Sequence, residues 1–300
     1  MHALVTGGAG FIGSHSVEAL LAEGARVTVL DDFSSGKRAN LPQHAALRLA
    51  QGDIRDAQVV QRAVAEATHV LHLAAQVSVR ASVDQPVESA GRNITGFLNV
   101  LDAARRRGDV RIVYASSAAV YGSPKALPLD ESSPCAPASP YGLEKFVNDQ
   151  YAAMFRELYG VSILGLRYFN VYGPRQDPAS PYAGVISRFA DRIARGSPLT
   201  VFGDGGQTRD FVFVKDVARA NLAALRSAEC GVLNVGTGAS VTLLQLIDTL
   251  GECAGQTPQV QFEPSVAGDI RHSAMRPERI RSVLGFVPQV SLREGLATLV

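Results

Sequence analysis

Tyr141 and Lys145 stand four residues apart, directly after Ser139-Pro140. A serine followed by proline reads as a helix N-cap and first helical position, so the spacing predicts both side chains on one helix face. A phenol beside an ammonium group can pass a proton. Its ordinary pKa, about 10, leaves the ionised form about 4 kcal/mol out of reach near neutrality. One partly solvated lysine does not supply that; a lysine plus a second positive charge, in a site that excludes water, does. Upstream, Ser116-Ser117-Ala118-Ala119-Val120-Tyr121-Gly122 follows an apolar run at 111–115 and places hydroxyls at the end of an expected strand. Ser117 is the stronger partner for Tyr141 in a proton relay, although a serine there equally serves by bonding local backbone.

The second positive charge has a candidate source. Gly7, Gly10 and Gly13 are spaced three apart where an apolar run opens into a helix-like segment. In a dinucleotide site the first glycine permits the tight turn, the second lets backbone approach a pyrophosphate, and the third lets helix pack on strand. The helix start then offers free N–H groups to phosphate. An ordinary strand-to-helix turn fits the glycines alone, but a second apolar run at 26–30 ends at Asp31, where an acid meets an adenosine ribose. A carboxylate there favours NAD over NADP. Lys37 and Arg38, in the next loop, are cations that could meet a 2′-phosphate, but they lie beyond the acid.

Stepping outward along the chain, buried-strand runs at 3–6, 26–30, 47–50, 69–73, 111–115 and 161–166 alternate with helix-length segments. That alternation predicts an α/β fold: a doubly wound, Rossmann-type parallel sheet covered on both faces. After residue 168 glycine, proline and aromatics thicken around a helix at 185–195, and a second, smaller α/β lobe begins. The chain is expected back in the sheet at 211–214, through a helix at 216–225 and a strand at 232–235, before leaving again through a helix at 243–253. The division is therefore 1–168, returning at about 210–238, against 169–209 and 239–300.

Composition narrows the function classes. With 300 residues, 46% hydrophobic, the chain can bury a large core. A formal charge of +1 with interspersed signs argues against nucleic acid, and Arg105-Arg106-Arg107 falls where a helix should end and complements its dipole. Three scattered cysteines and six histidines without ligand spacing give no metal site and fit a reducing compartment. No leader-like start and no uncharged run of about 18 residues is present, so a cytoplasmic, non-membrane protein is expected.

Together, Gly7-x-x-Gly10-x-x-Gly13, Asp31, Gly52-Asp53-Ile54, His72-Leu73-Ala74-Ala75, Ser116-Ser117, Tyr141-x-x-x-Lys145 and Arg167-Tyr168-Phe169-Asn170 resemble the extended short-chain dehydrogenases/reductases over nearly the whole chain. Within that family the Ser116–Gly122 run, Tyr168-Phe169-Asn170-Val171-Tyr172-Gly173-Pro174 and Gln207-Thr208-Arg209-Asp210-Phe211 are most similar to UDP-hexose 4-epimerases, which carry NAD. The resemblance implies Phe11 and Ile12 at the pyrophosphate; Asp31, Asp32, Ser35 and Gly36 at the adenosine ribose; and Asp53 and Ile54 at adenine. Leu73, Ala74, Ala75, Gln76 and Tyr168 would line the cofactor, with Tyr141 and Lys145. On the sugar-nucleotide side it implies Ser117, Tyr141, Asn170, Val185, Phe202, Arg209 and Asp269, with Arg209 pairing with diphosphate and Phe202 packing on uracil. It also implies a homodimer through segments 84–107 and 140–159.

The chemistry implied answers a physical difficulty: the C4 hydrogen of a hexose is not acidic, so configuration changes only through oxidation and re-reduction. Related dehydratases carry an Asp-Glu pair at the positions of Ala118 and Ala119, and methyl groups transfer no protons. Four residues beyond Asp269, Ser273 stands where a bulky residue excludes N-acetyl groups, so N-acetylated UDP-hexoses are expected to fit as well. Two departures stand out: Val266 replaces a usual arginine, and Arg276 a frequent aspartate. A dehydratase or reductase of sugar nucleotides, and a non-catalytic dinucleotide sensor, remain as alternatives.

Overall fold

Strands that are apolar on both faces must be covered on both faces, and the chain does this by placing helices in most of the crossovers between its parallel strands. The computed structural model describes residues 1–178, 184–265 and 270–300. Its first half comprises β1 (His2–Thr6), α1 (Phe11–Ala22), β2 (Arg26–Asp31), β3 (Leu47–Gln51), α2 (Ala57–Val64), β4 (His69–His72), α3 (Val79–Asp84), α4 (Pro86–Ala90), α5 (Gly96–Arg107), β5 (Arg111–Ser117), α6 (Pro140–Tyr159) and β6 (Ser162–Tyr168). A single π-helical turn, Gly91–Thr95, joins α4 to α5. The second half comprises β7 (Asn170–Tyr172), α7 (Val185–Ala194), β8 (Leu199–Phe202), β9 (Thr208–Phe213), α8 (Val214–Arg226), β10 (Gly231–Val235), β11 (Ser240–Thr242), α9 (Leu243–Ala254), β12 (Val260–Glu263), α10 (Glu278–Leu284) and α11 (Leu292–Leu296).

Seven parallel strands form the main sheet in the order β10-β6-β5-β4-β1-β2-β3. Strand order reverses between β1 and β4, and in doubly wound sheets the crevice beyond the carboxyl ends of the strands at that reversal is where ligands bind. One face is closed by α1 and α8 through Val17, Leu20, Val217 and Ala220. The other is closed by α2, α5 and α6 through Val60, Phe97, Leu101 and Ala152. Each local signal is visible: Ser139 caps α6 by accepting from Gly142 N–H at 3.1 Å, Pro140 occupies its first turn, and Gly160, at φ +67°, ends it.

The six expected strands and the helices at 185–195, 216–225 and 243–253 are present with ends shifted by a few residues. The expected return to the main sheet at 211–214 is not. That segment is β9, which pairs with β7 and β11 in a separate three-stranded sheet. Its aromatic side chains explain why: Phe211 and Phe213 pack on Tyr172 in the second lobe's own core, with Ile186, Phe189, Leu246 and Leu250. Of that expected return, α8 and β10 rejoin the main layers. The C-terminal segment then serves both lobes, since Ile280 and Phe286 enter the core under α1 and α8 while Leu296 enters that of the second lobe.

Candidate active site

Beyond β1 the chain makes the turn the glycines predicted. Gly7 adopts φ +69° and donates to Leu30 O at 2.8 Å, and a Cβ there would lie 2.6 Å from Ala74 N. At Gly13 a Cβ would drive into the Gly7 carbonyl and lie 2.8 Å from Gly8 Cα, so α1 can begin this close to the loop only with glycine. Gly10 is the N-cap and no side chain caps it. The N–H groups of Phe11, Ile12 and Gly13 therefore have no intrahelical acceptor and face the crevice with the positive end of the helix dipole.

Asp31 is buried, and both its oxygens are engaged by backbone: Oδ2 accepts from Ala9 N–H and Oδ1 from Phe33 N–H, each at 2.9 Å. Burial pushes its carboxyl pKa up, and the two amides oppose that. It thus ties the glycine loop to the loop after β2, where Lys37 N–H and Asn40 Nδ2 also donate to Ala9 O. A Cβ on Gly36 would come within 2.9 Å of Ala9 C. Ser35 sits beside it in the same loop, and Asp32 accepts from Ser34 N–H at 2.9 Å. Asp53 is bound by Arg55, which holds its carboxyl below the usual range, while Ile54 is turned into the core against Gly96.

After β4, Leu73 N–H donates to Thr6 O, and Ala74 N–H to Thr6 Oγ1, so the strand following the reversal is pinned to β1. Ala75 leads to Gln76, whose backbone is gripped at both ends by Asn93: its N–H donates to Oδ1 and its carbonyl accepts from Nδ2, each at 2.8 Å. Asn93 also donates to Glu144 Oε2 at 2.6 Å. Sequence reading missed Asn93. It lies in the π-helical turn, and an asparagine between Gly91 and Gly96 within a helical run, a poor fit to a regular helix, is the signal that could have found it.

The catalytic candidates converge at the carboxyl end of β5. Ser117 Oγ accepts from Ala119 N–H at 3.1 Å and faces the Tyr141 hydroxyl, so local capping does not take it away from the phenol. Gly142 allows this closeness, since a Cβ there would stand 2.7 Å from Ala119 O. Burial pushes the Tyr141 phenol up, the Ser117 contact pulls it down, and the negative charge of Glu144 adds to the rise. Lys145 Nζ donates to Ala115 O at 3.0 Å and lies 5.9 Å from the Tyr141 ring centroid. Burial lowers its pKa to about 8, with Asp149 and Glu144 opposing. The triad can therefore hold a proton on the phenol and release it when further positive charge arrives.

Tyr168, like Ile54, turns its side chain away from the crevice. Its ring lies in the core and its hydroxyl donates to Asn221 Oδ1 at 2.6 Å, so only its backbone, at the end of β6, is offered to the crevice. Asn170, Val185 and Arg209 do come together, lining a cleft of about 250 Å³ with Tyr172, Gln176 and Phe211. Phe202 does not line it; it sits 41% exposed at the end of β8. Ser273 is joined to the same lobe by its N–H to Thr208 O, one residue from Arg209. Asp269 and Val266 lie outside the described residues. Arg276 is held through its backbone N–H to Leu129 O. No group of three potential metal ligands occurs among the described residues.

Comparison with known proteins adds the following. Residues 3–236 match the NAD dependent epimerase/dehydratase family. A UDP-glucose 4-epimerase of Mycolicibacterium smegmatis is 42% identical over 308 residues, covering all of this chain and 97% of that protein. The solved structure of UDP-N-acetylglucosamine 4-epimerase from Methanobrevibacter ruminantium, in complex with UDP-N-acetylmuramic acid, superposes with a TM-score of 0.96 at 37% identity, covering 99% and 96% of the two chains. That of Thermus thermophilus UDP-glucose 4-epimerase in complex with NAD superposes with a TM-score of 0.92 at 42% identity, covering 100% and 97%.

Proposed function

Because the chain belongs to the NAD dependent epimerase/dehydratase family, we propose that it interconverts UDP-hexoses epimeric at C4, retaining NAD through each cycle. The observation that carries this is the convergence of Ser117, Tyr141 and Lys145 at the carboxyl end of β5, beside the crevice onto which the uncapped start of α1 opens. The residues present fit the cofactor: the cradle at Gly7 and Gly13 is one a Cβ would fill, and three free N–H groups suit a pyrophosphate. Phe11, Ile12, Asp31, Asp32, Ser35, Gly36, Asp53, Ile54 and the 73–76 loop would hold it, and Tyr168 would contribute backbone alone.

When bound, NAD supplies reversible hydride acceptance at C4 with no net redox change. Tyr141 takes the proton of the 4-hydroxyl, with Ser117 aligning the two oxygens and Lys145 stabilising the phenolate. The resulting 4-keto sugar, held only through its diphosphate, turns its other face before reduction, and Tyr141 returns the proton. Arg209 and Asn170 would anchor the nucleotide, with Val185, Phe202 and Asp269 completing that end. Ala118 and Ala119 lie in the turn just after Ser117 and offer no acid or base to eliminate water. UDP-glucose and UDP-galactose are the proposed substrates, with UDP-GlcNAc and UDP-GalNAc admitted by the small Ser273.

The domain division, 1–168 with a return at about 210–238 against 169–209 and 239–300, is proposed on the same basis, the part of that return in the main layers being α8 and β10. A homodimer is supported by apolar side chains left exposed on α4 and α6, Val87, Leu143, Met154 and Leu158. No helix among the described residues is long and apolar enough to cross a membrane, and a cytoplasmic role in galactose or polysaccharide metabolism is proposed. Incubating the purified protein with four UDP-hexoses, without added NAD, tests the proposal by chromatography and mass spectrometry. Conversion at constant mass is expected. A product lighter by one water, or no conversion even with NAD supplied, overturns it.

A further inference from the structure

An unbroken chain of ion pairs borders the end of the sheet to which the proposed function assigns adenosine. Asp32, just after β2, has Oδ2 3.7 Å from Arg92 Nη1. Arg92 Nε donates to Glu88 Oε1 at 2.8 Å, Arg55 Nη1 donates to Glu88 Oε2 at 2.9 Å, and Arg55 Nη2 donates to Asp53 Oδ2 at 2.7 Å. The chain therefore links the loop after β2 to the loop after β3 by way of α4 and the π-helical turn. At its first link, Arg92 Nη1 donates to Ser34 Oγ at 3.2 Å, while the Ser34 hydroxyl donates to Asp32 Oδ1 at 2.6 Å. The two cations of the loop itself are committed elsewhere: Lys37 Nζ donates to Asp177 Oδ2 at 2.9 Å, and Arg38 lies over the Phe33 ring, 5.1 Å from its centroid.

We infer that this chain of charges sets the choice between a 2′-hydroxyl and a 2′-phosphate on the dinucleotide, and that Asp32 enforces it by withholding Arg92. The inference rests on the dinucleotide site proposed above. A 2′-phosphate brings about two negative charges and needs a guanidinium or ammonium partner. Arg92 is placed to serve from beside Ser34, yet its guanidinium is already shared between the carboxylates of Asp32 and Glu88. A phosphate entering there would have to displace Asp32 and would meet it as a like charge. Asp31 differs in having no cation to withhold: its two oxygens each accept a backbone amide that shapes the loop, and their remaining lone pairs are left for the ribose hydroxyls. The pairing registers on the acids as well: the Arg92 and Arg55 donors hold the Glu88 carboxyl below its ordinary value, and Arg55 does the same to Asp53.

The test uses the full-length protein, equilibrated with equal concentrations of NAD and NADP, desalted and denatured, with the released dinucleotides quantified by chromatography. Wild type is expected to carry NAD. Asp32→Asn keeps the loop's shape, removes the charge and should raise the bound NADP-to-NAD ratio by about 10- to 100-fold, the worth of one charge-assisted contact. Glu88→Gln, which frees the same guanidinium from its other carboxylate, should raise it too and serves if Asp32→Asn does not fold. Arg92→Ala added to Asp32→Asn should return the ratio to within about threefold of wild type. An unchanged ratio in a folded Asp32→Asn, an unchanged ratio in Glu88→Gln where Asp32→Asn does not fold, or a gain that survives loss of Arg92 overturns the inference. Absence of any dinucleotide on wild type would instead overturn the proposed function, and this inference with it.

Discussion

Lys145→Met removes one positive charge while keeping most of the buried aliphatic stem. Nζ lies 5.9 Å from the Tyr141 ring centroid, and unit charges at that separation interact by about 3 kcal/mol at an effective dielectric of about 20. The phenolate would lose that stabilisation, so kcat near pH 7 should fall about 10²-fold. The loss should shrink with alkalinity. Because the Lys145 pKa is lowered to about 8 by burial, wild type surrenders its ammonium above that pH, while the variant's phenol ionises on its own as hydroxide rises. The assay is kcat for UDP-galactose between pH 6 and 10 at saturating substrate, normalised to dinucleotide extracted from each sample. Wild type and variant should differ about 10²-fold at pH 6.5 and converge above pH 9. A ratio that stays constant over this range would refute the view that Lys145 acts through the Tyr141 proton.

Gly13→Ala forces a methyl into the Gly7 carbonyl; about 3 kcal/mol of stability should be lost, with the protein purifying free of dinucleotide, and full retention of NAD would show the close approach is dispensable. His72 is buried against Phe97 and bonds Thr6 Oγ1 at 2.8 Å, and burial lowers its pKa to about 3. Below pH 6.5 the unfolded chain takes up a proton that the folded chain refuses until about pH 3, so stability declines with acidity across that window, by about 2 kcal/mol between pH 7.5 and 5. Urea midpoints should show this slope in wild type and not in His72→Asn; equal slopes would assign the acid sensitivity elsewhere. Ser273→Tyr should cut kcat/KM for UDP-GlcNAc at least tenfold relative to UDP-glucose, and an unchanged ratio would move substrate selection to another residue.

What could be foreseen follows from what is local. The central strands of the main sheet are buried on both faces and announce themselves as apolar runs, and the Ser139-Pro140 cap fixes where Tyr141 and Lys145 begin. Strand partners are not local. The 211–214 run was expected in the main sheet, and only packing of Phe211 and Phe213 on Tyr172 assigns β9 to the other one. The same limit hid Asn93, whose partners Gln76 and Glu144 are 17 and 51 residues away, and Gly142, whose importance lies in its distance to Ala119. Motif reading names Tyr168 without telling side chain from backbone, and its hydroxyl belongs to Asn221.

The last segment of the chain anchors in two places, Ile280 and Phe286 beneath α1 and α8 and Leu296 beside Tyr172's lobe. A covalent thread so fastened couples the melting of one half to the melting of the other. Heating should therefore produce a single calorimetric peak, and trimming the final 25 residues would strip cover from both interiors at once instead of releasing an independent appendage.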